Sequence, residues 1–162
     1  MKSRTEKATR RKAKPVEVAV AVTRFVDVLA AKTPRGVRGT AFIMKLAADD
    51  DRAEIKGDDI YIKRPGAPIR FTFVPSAADK KQYYPVGITF LRKGDRNRSD
   101  QETLGFLNFP QAETQPDDRS LTIVDRYKDR AKCIRYKFSL VIQRGSDGRI
   151  GIIDPSIVHE DQ

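Results

Sequence analysis

Val-Glu-Val-Ala-Val-Ala-Val-Thr, residues 16–23, alternates valine with a smaller or more polar residue four times in succession. Successive side chains of a strand point to opposite faces, so Val16, Val18, Val20 and Val22 line one face and Glu17, Ala19, Ala21 and Thr23 the other. A helix over the same residues would scatter the valines around its circumference. The pattern predicts a half-buried strand, and period two recurs wherever apolar residues gather further along the chain.

Further strands are expected at 39–46, 59–63, 69–74, 85–91, 104–109, 121–128, 134–143 and 149–153. Turn residues stand between them: Pro34-Arg35-Gly36, Gly57-Asp58, Pro65-Gly66, Lys93-Gly94-Asp95, Pro116-Asp117 and Ser146-Asp147-Gly148. The one helical competitor is 24–32, where Phe25, Val28 and Leu29 suit a short turn before Pro34. Near the C-terminus, Tyr136, Phe138, Leu140 and Ile142 share a face, 144–148 turns, and Ile150 and Ile152 return, which reads as a hairpin with its positive-φ residue at Gly148. So many one-sided strands bury their faces most simply as two packed antiparallel sheets, an all-β sandwich.

The 162 residues suffice for one core. Seven of the 32 basic residues and one of the 22 acids fall within residues 1–14, a local net charge of +6 out of +10. The expected organisation is a disordered basic arm, 1–14, on a single sandwich domain, 15–162. Because a polar arm buries nothing, its removal is expected to leave the melting temperature almost unchanged. The apolar stretch after Pro15 is broken by Glu17, Arg24 and Asp27, so no secretory leader is expected. No run is long enough to span a bilayer, and a single cysteine, Cys133, forms no internal disulfide. Residence in the cytoplasm is expected.

Leu121-Thr-Ile123 followed by Tyr136-Lys-Phe138 is similar to the end of an immunoglobulin-like sandwich, where an L-x-I strand precedes a Tyr-x-Cys strand; Phe138 stands where that family has its cysteine. Tyr136-Lys-Phe-Ser-Leu-Val-Ile-Gln143 with Ile152-Ile-Asp-Pro-Ser-Ile-Val-His-Glu-Asp161 resembles the DP-EP family, small bacterial proteins of unassigned function. Asp154-Pro155 supplies the first of the two elements that name the family, while Glu160 is followed by Asp161 in place of proline. The resemblance implies an immunoglobulin-like fold and a bacterial source. It implies no activity.

Few residues suggest chemistry. Lys2, Arg4, Lys7, Arg10, Arg11, Lys12 and Lys14, without an apolar face, have the composition of a nucleic-acid-binding tail or of a solvated one. A second basic run, Arg126, Lys128, Arg130, Lys132, Arg135 and Lys137 with Tyr127 and Tyr136 interleaved, resembles a stacking surface. Strand parity sends its charges to two faces of the sandwich, so a solvated surface is expected there. Asp49-Asp50-Asp51, Glu54, Asp58 and Asp59 lack the alternating spacing of a calcium loop and read as a charged hairpin. Residues 33–40 lack the lysine and spacing of a phosphate-binding loop. The apolar segment 104–110 is either an edge strand filling the core or a protruding contact through Phe106 and Phe109.

His159 lies near the C-terminus, where poor ordering is expected. Cys133 sits in a Lys- and Arg-rich loop, but a nucleophile also needs an orienting base, and the chain has no histidine besides His159 to supply one. One histidine and one cysteine do not make the usual zinc set. No catalytic residue, metal or cofactor is therefore assigned. The expected function is a non-enzymatic binding module, with a protein partner or a second copy met at an edge strand, and the alternative is nucleic-acid binding by the arm.

Overall fold

The computed structural model describes residues 13–29, 39–93, 109–115, 119–126 and 134–159. These form β1 (Val16–Arg24), β2 (Ala41–Leu46), β3 (Ala53–Lys56), β4 (Asp59–Ile62), β5 (Ile69–Val74), β6 (Tyr83–Lys93), β7 (Ala112–Gln115), β8 (Ser120–Ile123), β9 (Ile134–Arg144), β10 (Ile150–Ile153) and β11 (Ser156–His159). No helix occurs among the described residues. The first sheet has the order β2-β1-β5-β8-β7. The second runs β3-β4-β11-β9, with β6 on the far side of β9 and β10 sharing its near side with β11.

Alternation places the core as the sequence predicts. Val16, Val18, Val20 and Val22 are all at most 1% exposed and pack with Ile69, Phe71 and Phe73 of β5, while Phe138, Leu140 and Ile142 of β9 close the layer from the other sheet. Phe71 and Phe138 meet between the sheets with ring centroids 5.4 Å apart. Each of these side chains contributes about 1.5–3 kcal/mol on burial, so these facing rows are the main source of stability.

The sheets are mixed, not antiparallel throughout. β1 pairs with β5 in parallel, Val16 opposite Ile69 to Ala21 opposite Val74, and β4 pairs with β11 in parallel. Parallel neighbours need a crossover. Between β1 and β5 the chain makes it by leaving the first sheet to build β3 and β4 in the second.

Four sequence expectations change. Residues 53–56, 112–115 and 156–159 are strands that alternation did not reveal. In β10 the buried residues are Gly151, opposite Ile142, and Ile153, opposite Leu140, so Ile150 and Ile152 face the other way. The space over Gly151 belongs to Phe25, whose Cε2 would lie 2.7 Å from an added Cβ. Strand β6 starts two residues earlier than expected, before Pro85; a register shift between Pro85 and Gly87 and a place at the sheet edge accommodate the proline.

The fourth change concerns the C-terminal residues. β10 and β11 lie end to end along β9, and the break between them is Asp154-Pro155. Pro155 has no N–H to give, but its carbonyl accepts from Phe138 N–H at 3.1 Å, and Ser139 Oγ donates to Asp154 Oδ1 at 2.5 Å. β11 is then held between β9 and β4, and all four of its residues are buried. His159 is 0% exposed, the reverse of a poorly ordered tail residue.

Candidate interaction site

A sheet edge carries unpaired N–H and C=O groups, so the edges are where a sandwich meets another chain. Among the described residues the sheets end at β2 and β7 in the first and at β3 and β6 in the second, while the outer side of β10 takes Val28 N–H on the Ile150 carbonyl at 2.9 Å; these edges differ in protection. β6 is blunted by Pro85 and its bulge. β7 and β3 are four residues long. β2 has six residues, no proline, and no strand on its outer side among the described residues.

The phase of β2 follows from one bond, Ala47 N–H to the Glu17 carbonyl at 2.9 Å, which makes that pair hydrogen-bonded across the β1–β2 ladder. Antiparallel pairs alternate, so Ile43 and Lys45 also bond to β1, while the backbones of Phe42, Met44 and Leu46 face the free edge. The side chains follow the opposite rule. Met44 is buried, Phe42 and Leu46 are partly so, and Ile43 stands 51% exposed on the outer face.

A groove of about 570 Å³ lies between this edge and β3. Met44 and Leu46 from β2, with Ala53 and Ile55 from β3, supply its apolar lining, and Lys45, Asp49, Asp50, Asp51, Glu54 and Lys63 its charged lining. Asp50 is fixed by Arg52, which donates from Nε at 2.8 Å and from Nη2 at 2.5 Å. The hydrogen bond from Arg52 holds the Asp50 carboxyl below its ordinary value. Glu54 is also lowered, first by the hydrogen bond from Lys56 and then by Lys63. Asp51 pairs with Arg64 at 3.0 Å in full solvent. Asp49 makes no ion pair among the described residues.

The arm enters the domain beside this groove. Arg52 Nη1 donates to the Lys14 carbonyl at 2.7 Å and Nη2 to the Pro15 carbonyl at 3.2 Å, so the guanidinium that grips Asp50 also fixes the start of β1. Lys14 is exposed; Lys2, Arg4, Lys7, Arg10, Arg11 and Lys12 lie outside the described residues.

The other sequence candidates separate. Phe106 lies outside the described residues, and Phe109 is 3% exposed. It stacks on Phe90 at 4.5 Å and meets the Tyr136 edge at 5.3 Å, so it fills the core and offers no surface to a partner. Of the second basic run, Arg126 follows β8 in the first sheet, whereas Arg135 and Lys137 belong to β9 in the second. Arg135 is paired with Asp59 at 3.1 Å, and Tyr127, Lys128, Arg130, Lys132 and Cys133 lie outside the described residues. Of the expected loop 33–40, Gly39 and Thr40 are described, and the Thr40 hydroxyl accepts from Val26 N–H at 2.9 Å. Among the described residues no cluster of His, Cys, Asp or Glu is arranged to hold a metal.

One arrangement has the outline of an acid–base dyad. His159 Nε2 lies 3.1 Å from Asp125 Oδ2, with Phe109 and Tyr136 against the imidazole at 5.8 and 5.3 Å between centroids. Both side chains are 0% exposed, and Asp125 also accepts from Gly66 N–H at 3.2 Å. Asp125 leaves β8 of one sheet and His159 ends β11 of the other, so the pair joins the two layers at one end of the sandwich. A walled-in pair of this kind presents no group to a substrate.

No helix among the described residues is long and apolar enough to cross a membrane. Compared with protein-family models and with curated proteins, the chain has no match in either.

Proposed function

We propose that the protein is a non-enzymatic binding module that receives an extended segment of another protein on the free edge of β2. The observation that carries this reading is the edge itself: three consecutive outward-facing backbone positions, Phe42, Met44 and Leu46, beside an exposed Ile43 and above a groove. Strand addition takes affinity from main-chain hydrogen bonds and selectivity from pockets for alternate side chains, and β2 supplies both. The single cysteine and the DP-EP-like C-terminal residues favour the bacterial cytoplasm as its setting.

A photo-crosslinking residue at position 43, compared with one at Gln143 on the outer face of the other sheet, tests the proposal in cell extract. Adducts with one protein species from position 43 and none from position 143 are expected, and an adduct between two copies makes the partner a second copy. Equal labelling from both positions refutes the reading. Nucleic-acid binding by the full chain that weakens steeply with salt and vanishes in Pro15–Gln162 moves the function to the arm instead.

A further inference from the structure

We propose, resting on the edge-pairing reading above, that the strand received in the β2–β3 groove has apolar residues at alternate positions and Lys or Arg at the end that reaches the 49–51 loop. The apolar requirement comes from the lining. A strand added to β2 turns every second side chain to the same side as Met44 and Leu46, and there it meets Ile55 and Ala53 of β3. A polar side chain in that position would lose water and gain no partner.

The cationic end comes from the charges. Four carboxylates and two lysines line the groove; Asp50, Asp51 and Glu54 are already paired with Arg52, Arg64, and Lys56 and Lys63, so the negative charge open to an incoming cation is at Asp49 and at the exposed Asp51. Three of the acids follow β2 after Ala47 and Ala48, at positions 49, 50 and 51. Asp50 is committed to Arg52. Asp49 has no ion-pair partner among the described residues, and the Asp51–Arg64 pair is 73% and 67% exposed, a contact that an incoming cation exchanges at little cost. Lys45, on the outer face of β2, disfavours cations along the middle of the added strand and confines them to the loop end. Six residues of added strand span about 20 Å, the length of β2.

A displayed library of random twelve-residue peptides, selected on the full chain at low salt, tests this, with winners re-measured as synthetic peptides by fluorescence anisotropy. The expected winners alternate apolar residues and carry one or two terminal cations. Their binding falls on the order of tenfold in Asp49→Lys, disappears in Ile43→Lys, and tightens in Lys45→Glu, a gain that a misfolded variant does not produce. Winners that lose binding in Ile43→Lys yet carry no cation and ignore Asp49→Lys overturn the occupant proposed here and leave the edge reading standing. Winners that bind Ile43→Lys as well as the unaltered chain overturn both, and so does a selection without enrichment.

Discussion

Removing the Asp125 carboxylate should cost far more than a contact between two side chains ordinarily gives. Asp125→Ala leaves the His159 imidazole facing a methyl group at a site with no solvent exposure, and takes the acceptor from Gly66 N–H. Losing one hydrogen-bonding contact in a buried site costs about 1–3 kcal/mol, and breaking a buried pair about 3–5 kcal/mol, so about 3 kcal/mol is expected. At roughly 2–4 °C per kcal/mol for a chain of this size, the melting temperature falls by about 10 °C. His159→Phe keeps a ring between Phe109 and Tyr136 and should cost about 2 kcal/mol, because Asp125 loses the imidazole contact while keeping Gly66 N–H. The double variant replaces both polar partners. It should lose about 3 kcal/mol in total, a coupling of about 2 kcal/mol between the two sites. Urea unfolding of the four proteins measures the cycle. Strictly additive losses, or less than about 1 kcal/mol for Asp125→Ala, would refute the idea that the pair holds the two sheets together.

Three further outcomes follow from the geometry. Leu140→Ala, at a fully buried position of β9, should cost about 2–5 kcal/mol in the same assay, and a near-neutral result would refute the assigned face. Gly151→Ala should destabilise by about 1–3 kcal/mol through collision with Phe25 and Thr40, and Phe25→Ala in the same chain should recover part of the loss. Hydrogen bonds from Arg144 hold the Asp147 carboxyl at about 2, below its ordinary value of 3.8, with Arg149 adding to the effect. Its stabilising contribution is therefore complete above about pH 4 and lost as pH falls towards 2, and an NMR titration should find the midpoint near 2 in the native chain and raised towards the ordinary value in Arg144→Met, with Arg149 still holding it below.

Alternation made β1, β5 and β9 legible because each buries one face and exposes the other. Strands without that asymmetry were hidden. β7 is exposed along its whole length and β11 is buried along its whole length, so neither shows period two. In β10 the period was visible but its phase was not, since it depends on Phe25 filling the space over Gly151. Parallel pairing leaves no local mark, because it concerns which distant strand lies alongside. The groove was illegible for the same reason: that β2 and β3 are edges follows from strand order, and Asp49, Asp50 and Asp51 could be read only as a charged turn. The burial of His159 is illegible for a like reason: nearness to the end of the chain does not mean nearness to solvent when the last strand lies between two others.

The central position of β11 has a bearing on how the molecule is made. On a ribosome, β3 and β4 emerge early but find their permanent neighbour only when Ser156 to His159 appear, after everything from Lys63 to Pro155 has been synthesised. Until then the β3–β4 hairpin offers its inner edge to any passing chain, and a hairpin of two strands has little stability by itself. Folding should be slow and concerted, completed by the last strand in the manner of a keystone, and nascent chains cut short before Ser156 should depend on chaperones to stay out of aggregates.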